Sequence, residues 1–222
     1  KTLRSNYLVV AAAGSQAHAL SSVSPQLAAM TPRNTAGIGR STEGSMKFTV
    51  NTPGATRQRT ACAIVAIYSD GVLSDTAKAL DKASGGMITG VINNRDIRGQ
   101  AGETLFLTHT GKLPCKRILL VGLGTAGKLD QRGFRKAARA AFSALGKGGY
   151  ANAISFLGLE AVSDADAYRK TRIAVELWHE TSYRFTTMKS APSPEASRLK
   201  SIGLACETGD KRKARLALKH AT

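Results

Sequence analysis

From residue 46 onward, apolar and β-branched residues form short runs that alternate with longer runs of helical spacing. The short runs predict strands near 47–51, 61–68, 104–109, 117–122, 153–157 and 201–206. The longer runs predict helices at about 74–83, 130–145, 164–185 and 211–222. This alternation is typical of an α/β fold in which helices cover a mixed sheet.

Local signals place several helix ends. Ser74 is the expected N-cap of the first helix, which should end at the Gly85-Gly86 pair. Asp164 and Asp166 stand at the start of the third helix, where carboxylates favour the positive end of the helix dipole. Trp178 recurs with other apolar residues at near-helical intervals, so we expect it to anchor the core rather than stack on a ligand.

The two ends of the chain differ from its middle. Residues 1–45 are rich in Ala, Ser and Thr and nearly free of acids, which predicts a disordered, low-complexity tail. An organellar transit peptide has a similar composition and stays open as an alternative. Met46 directly precedes the first strand and is a candidate natural start. Residues 186–222 are predicted to form a Pro-containing loop, a final strand and a basic helix.

Charge and cysteine content narrow the class of protein. The 32 Lys and Arg against 15 Asp and Glu give a net charge of +17, which favours phosphate-rich partners or acidic protein surfaces. Apolar runs far shorter than the ~20 residues of a membrane helix predict a soluble protein. Three widely spaced cysteines without a CxxC pair favour a reducing compartment, and we expect the cytoplasm.

The basic residues cluster in the predicted helices. One side of a predicted helix carries Arg132, Arg135, Lys136 and Arg139. We expect this face to contact the phosphates of a nucleic acid without recognising its bases. Further basic groups occur at 169, 170 and 172 and in the last helix, at Lys211, Arg212, Lys213 and Arg215. A solvated surface is the alternative interpretation of the same residues.

A GxGxxG pattern follows the predicted strand at 117–122, with its glycines at Gly122, Gly124 and Gly127. In a dinucleotide-binding fold the last glycine begins a helix and an acid follows ~20 residues on. Here the next helix begins only near Asp130, and the first acid after the following strand is Glu160. We therefore expect a glycine-rich turn, with anion binding by its backbone N–H groups as a secondary hypothesis.

Catalytic and metal-binding patterns are not apparent. The four histidines have no partner at the i, i+4 spacing of a helical zinc pair, and no cluster of acids suits two metals. Cys62 lies in an apolar run, which favours an inert packed thiol, and Cys115 and Cys206 lack a nearby His. The residues thus predict no catalytic group, no metal site and no cofactor in this chain.

Several segments, in order and spacing, resemble the N-terminal domain of bacterial leucyl aminopeptidases. They are MKFTV at 46–50, QRTAC at 58–62, LDK at 80–82, GQAGETLFL at 99–107 and RILLVG at 117–122. The pattern continues through 129–130, 156–157, Glu176 and 180–181. The resemblance covers roughly residues 46–222 and is specific as an ensemble.

The resemblance implies a three-layer α/β/α macro-like domain with a mixed central sheet at 46–185. It also implies that residues 186–222 contain the start of a linker helix to a catalytic domain that is missing here. In that family the catalytic domain holds two divalent metals, zinc or manganese, through Lys, Asp and Glu. Residues 34–40 are similar to the metal-binding signature of that catalytic domain, NTDAEGR, but they lack its Asp and its Glu. We therefore interpret the similarity as chance. Members form hexamers, and some bacterial members bind DNA. We expect a non-catalytic accessory domain with a regulatory or DNA-binding role; the alternative is a free-standing nucleic-acid- or nucleotide-binding module.

Overall fold

The computed structural model describes residues 46–182 and 198–221. The predicted tail at 1–45, the loop at 186–197 and Phe185 lie outside these residues. Within them the strands are β1 (Lys47–Asn51), β2 (Cys62–Ile67), β3 (Thr104–Leu107), β4 (Ile118–Gly122), β5 (Asn152–Ser155) and β6 (Ser201–Ala205). The helices are α1 (Asp75–Ser84), α2 (Met87–Asn93), α3 (Gln131–Gly146), α4 (Ala167–Ser182) and α5 (Lys211–Ala221).

The strands form one mixed sheet in the order β1-β6-β5-β2-β4-β3. All neighbours are parallel except β3, which pairs antiparallel with β4. The strand predictions are confirmed to within two residues at each end. The largest differences lie at the ends of β3 and β5; β5 ends early because residues Leu157–Leu159 form a 3-10 turn.

Helices cover both faces of the sheet, which confirms the three-layer α/β/α architecture. Alternate residues of the central strand β2 point to opposite layers, and all six are buried, as expected for a parallel strand enclosed on both sides. Cys62, Ile64 and Ala66 pack with α3 and α4. Ala63, Val65 and Ile67 pack with α1 and α2 on the other face. α5 packs against α4 and completes the first layer.

The sequence did not predict α2. Gly85 ends α1 as expected, but the left-handed Gly86 is also the N-cap of a second helix and offers no side chain as a cap. Asp81 of α1 supplies the cap instead, since its carboxylate accepts from the amide N–H groups of Ile88 (2.7 Å) and Thr89 (3.0 Å). A cap donated by the preceding helix is invisible to a search for a local Ser, Thr, Asp or Asn.

The two aspartates before α4 cap different helices. Asp166 accepts from the N–H of Arg169 at 2.9 Å and so caps α4, as expected. Asp164 instead accepts from the N–H of Gln131 at 2.6 Å, in the first turn of α3. Asp164 therefore ties the loop before α4 to the start of α3.

The remaining anchors follow the sequence prediction. Ser74 caps α1 by accepting from the N–H of Ala77 at 3.2 Å. Trp178 is buried and meets Phe142 edge-to-face, with their ring centroids 6.0 Å apart. The expectation that Trp178 anchors the core is confirmed.

Candidate functional site

The carboxyl ends of β2 and β5 mark the first candidate position for a ligand. In open α/β sheets, ligands bind beyond the carboxyl ends of neighbouring strands whose connections leave in opposite directions. β2 and β5 are parallel neighbours; the chain continues from β2 to the β3–β4 side of the sheet and from β5 to β6. Tyr68 follows β2 directly and Glu160 follows the turn after β5.

Tyr68 and Glu160 contact each other at this position. The Tyr68 hydroxyl donates a 2.7 Å hydrogen bond to Oε2 of Glu160, whose side chain is buried. Burial raises the pKa of Glu160, while hydrogen bonds from Tyr68 and Ser74 act in the opposite direction. Burial, followed by the neighbouring carboxylate, raises the pKa of Tyr68. The segments that follow β2 and β5 are thus joined by a hydrogen bond between a phenol and a carboxyl group.

Lys170 of α4 lies beside the same loop. Its ammonium donates a 2.8 Å hydrogen bond to the backbone carbonyl of Glu160. Burial lowers the pKa of Lys170, and the nearby carboxylates, with Asp210 first among them, raise it. Lys170 therefore points inward and joins α4 to the loop after β5, unlike the exposed Arg169 beside it in the sequence.

The GxGxxG segment forms a tight turn that is locked by backbone hydrogen bonds. The N–H groups of Gly122, Leu123 and Gly124 donate to the carbonyls of Glu103, Ile67 and Gly99 respectively. A Cβ at Gly122 would overlap the backbone of Gln100, so a close approach of two chain segments requires glycine there. Gly124 and Gly127 both have positive φ, +82° and +75°. Three N–H groups of the turn are already engaged, and anion binding by the rest of the turn stays a prediction.

A second concave region lies outside α2, next to the loop after β2. It is an open cavity of about 800 Å³. Its polar lining comes from Ser69, Thr89, Asn93, Arg95, Arg98 and Gln100. Sequence reasoning missed this site because α2 was not predicted, and Arg95 occupies its position only through the end of that helix.

Arg95 has an unusual backbone. It is the only non-glycine residue with positive φ (61°) in the part of the chain that the structure describes. It follows α2 in the position where a helix most often ends on glycine. The N–H of the next residue, Asp96, donates a hydrogen bond to the carbonyl of Val91. A side chain in the left-handed region costs roughly 1–2 kcal/mol. An arginine here is therefore held against its backbone preference.

The predicted basic residues of α3 lie together on its outer face. Arg132, Lys136 and Arg139 are exposed and Arg135 is half-buried. Two of them face carboxylates of α4: Arg139 lies 2.8 Å from Glu180, and Arg135 lies 3.8 Å from Glu176. These pairs are solvent-exposed, and such pairs contribute about 0–1 kcal/mol to stability.

The basic residues of α5 extend the same layer of helices. Arg212, Lys213 and Arg215 are exposed and Lys211 is half-buried. Lys213 lies 3.6 Å from Asp210. Leu216, which is 48% exposed, stands among these charges on the outer side of the helix. The structure thus brings the predicted groups of α3 and α5 onto one side of the sheet, separated by α4.

In the described ranges, a metal site would need a cluster of ligands and a reactive thiol would need a low pKa. No set of three or more His, Cys, Asp or Glu there is placed to hold a metal ion. The three thiols are buried, and burial raises the pKa of Cys62 to about 12 and also raises the pKa of Cys115 and of Cys206. None of the helices in residues 46–182 and 198–221 combines the length and apolar character of a membrane span.

Comparison with solved structures identifies the fold. Tomato leucine aminopeptidase, in a mutant form, matches 78% of this chain and 35% of its own chain with a TM-score of 0.58 at 16% identity. A macrodomain from Trypanosoma brucei matches 77% of this chain and 65% of its own with a TM-score of 0.58 at 16% identity. At these identities the match establishes a macrodomain-like fold.

Sequence comparison identifies the family. The model of the cytosol aminopeptidase family, N-terminal domain, matches residues 64–192. A probable cytosol aminopeptidase from Nitrosospira multiformis is 38% identical over 160 residues, which are 72% of this chain and 31% of that protein. One from Halorhodospira halophila is 37% identical over 73% of this chain and 33% of its own length. The chain spans about a third of the length of these relatives. It belongs to the cytosol aminopeptidase family, of which it carries the N-terminal domain.

Proposed function

We propose that this chain is a non-catalytic domain of a metal-dependent leucyl aminopeptidase and that the outer side of α3, α4 and α5 binds polyanions such as duplex DNA. The family match supports the first half of this proposal. The described residues provide no ligand set for a divalent metal, so the two zinc or manganese ions that peptide hydrolysis would need are assigned to the remainder of the longer relatives.

The observation that carries the binding proposal is the unequal charge of the two helical layers. The layer of α3, α4 and α5 contains four, three and five basic residues respectively and only two acids, both in α4. On the other face, α1 carries two lysines and two aspartates, and α2 carries no charge. A positive field on one side of a domain favours contact with phosphates from that side.

The residues expected to contact phosphate are those whose charge is not already matched. Arg135 and Arg139 lie beside glutamates of α4, and Lys213 lies beside Asp210. Arg132, Lys136, Arg212 and Arg215 form no ion pair with any carboxylate in the described residues. Contacts of this kind hold the backbone of nucleic acid without reading its bases.

Titration of the chain with duplex DNA at several salt concentrations tests the binding proposal. Each phosphate contact contributes about 0.9 to the slope of log affinity against log salt concentration, so binding should weaken steeply as salt rises. The combined substitutions Arg132→Gln, Lys136→Gln, Arg212→Gln and Arg215→Gln should lower both affinity and slope.

A control variant removes two charges from the opposite face. Lys78→Gln with Lys82→Gln, both on α1, should leave the slope nearly unchanged. Absence of DNA binding at low salt contradicts this proposal. If the α1 control loses as much affinity per charge removed as the four-residue variant, net charge rather than the α3–α5 layer determines the interaction.

The proposed parent removes N-terminal amino acids from peptides in the cytoplasm as a homo-oligomer, a hexamer in the family that the sequence resembles. In that setting this domain positions or regulates the catalytic domain, its expected partner. A chain without peptidase activity but with salt-sensitive DNA binding is the outcome that the proposal requires.

A further inference from the structure

We propose that the cavity outside α2 is a binding site for a small molecule that carries a phosphate or diphosphate group, with Arg95 and Arg98 as the residues that hold the anion. The site lies apart from the α3–α5 layer. Its volume of about 800 Å³ falls within the range of small-molecule sites, roughly 300–1,000 Å³.

The chemistry of the lining favours an anion. Arg95 and Arg98 both line the cavity, and neither guanidinium forms an ion pair or hydrogen bond with a side chain that the structure describes. A guanidinium offers a planar fork of donors that matches the oxygens of a phosphate group. Asn93 and Gln100 add amide donors on the same lining.

Hydrogen bonds hold the backbone of the loop that forms one wall of the cavity. Oε2 of Glu103 accepts from the N–H groups of Arg98 (3.0 Å) and Gln100 (3.1 Å), which sets the course of this loop. The carbonyl of Gly99 accepts from Gly124 N–H at 2.9 Å, and Gly124 in turn accepts from Ser69 N–H at 2.9 Å. A site built on a rigid frame loses little conformational entropy when it binds.

The backbone of Arg95 is an independent observation. Glycine would occupy its left-handed conformation without strain, yet an arginine stands there with its side chain on the cavity. Residues held in sparsely populated backbone conformations concentrate at functional sites. The position is best explained if the guanidinium serves a ligand, because helix termination alone would favour glycine.

Calorimetric titration of the intact chain with pyrophosphate at constant ionic strength tests the site. Arg95→Gly and Arg98→Gln should each weaken pyrophosphate binding about tenfold or more, the loss typical of a charged hydrogen bond. Arg95→Gly should not lower the thermal midpoint, because glycine relieves the backbone at this position. Arg57→Gln with Arg59→Gln removes two exposed arginines that do not line the cavity, from the segment between β1 and β2, and should leave binding unchanged.

The possible results separate this site from the polyanion surface. Pyrophosphate binding that is lost in Arg95→Gly, with duplex DNA binding retained, supports the proposal. Absence of saturable pyrophosphate binding overturns it, as does binding that Arg95→Gly leaves intact. An equal loss in the control with Arg57 and Arg59 replaced would also overturn it, because the interaction would then depend on net charge alone.

Discussion

The hydroxyl of Tyr68 donates a 2.7 Å hydrogen bond to the buried carboxyl group of Glu160, and this bond joins the loop after β2 to the loop after β5. The two loops leave neighbouring strands at the point where an α/β sheet usually admits a ligand. The domain uses that position for an internal contact, and the first predictions concern its energetics.

Replacing Glu160 with Gln should stabilise the domain at neutral pH. Burial raises the pKa of Glu160 in the folded state above its unfolded value of roughly 4.3. The contribution of this carboxyl group to stability is therefore complete below the unfolded pKa and is lost as the pH rises through the folded pKa. Glutamine stays neutral throughout. We expect the thermal midpoint of Glu160→Gln to match the parent chain near pH 4 and to exceed it at pH 7. A midpoint difference that is the same at both pH values would contradict this assignment.

Replacing Tyr68 with Phe should destabilise the domain by about 1–3 kcal/mol, because a buried carboxyl group loses its donor. The measurement is the free energy of unfolding in urea. In the double variant with Glu160→Gln, the two effects should not add, since the residues share one bond. Changes in the free energy of unfolding that simply add, one a gain and the other a loss, would mean that the coupling between Tyr68 and Glu160 is small.

Two glycines of the GxGxxG segment should respond differently to alanine. At Gly122 the new Cβ would overlap the backbone of Gln100, and the expected loss is about 3 kcal/mol or more in the free energy of unfolding. At Gly127 a Cβ meets no described atom within 4 Å, so only the positive φ of 75° is penalised, at about 1 kcal/mol. Similar losses at both positions would contradict the close approach at Gly122.

Asp164 and Asp166 should protect different helices. Asp164→Ala removes the acceptor of the Gln131 N–H and should speed hydrogen exchange at that amide, at a cost of about 1 kcal/mol. Asp166→Ala should act on the Arg169 amide instead. Each variant is the control for the other. If Asp164→Ala changes exchange at the start of α4 and not of α3, the assignment is wrong.

The parts of the fold that sequence predicts are those governed by local pattern. The apolar runs predict the strands, and the place of Ser74 before an amphipathic helix predicts its role as an N-cap. α2 escaped prediction because its cap, Asp81, lies on another helix. Asp164 was placed on the correct loop but serves α3, a contact across 33 positions of sequence.

The candidate sites also divide into parts that local sequence patterns predict and parts that depend on packing. The basic faces of α3 and α5 follow from helical periodicity, whereas their pairing with Glu176, Glu180 and Asp210 depends on how the helices pack. The Tyr68–Glu160 contact joins residues that are 92 positions apart in the sequence, and no local sequence pattern predicts it. Arg95 and Arg98 became candidates only once α2 and the loop held by Glu103 formed a cavity wall.

The central proposal is that this chain carries no peptidase chemistry of its own. Incubation of the purified chain with a leucyl reporter substrate and either Mn²⁺ or Zn²⁺ tests it most directly, with a chelator-treated sample as control. We predict no turnover above the metal-only background. Metal-dependent turnover that the chelator abolishes, and that elutes with this chain through gel filtration, would contradict the account.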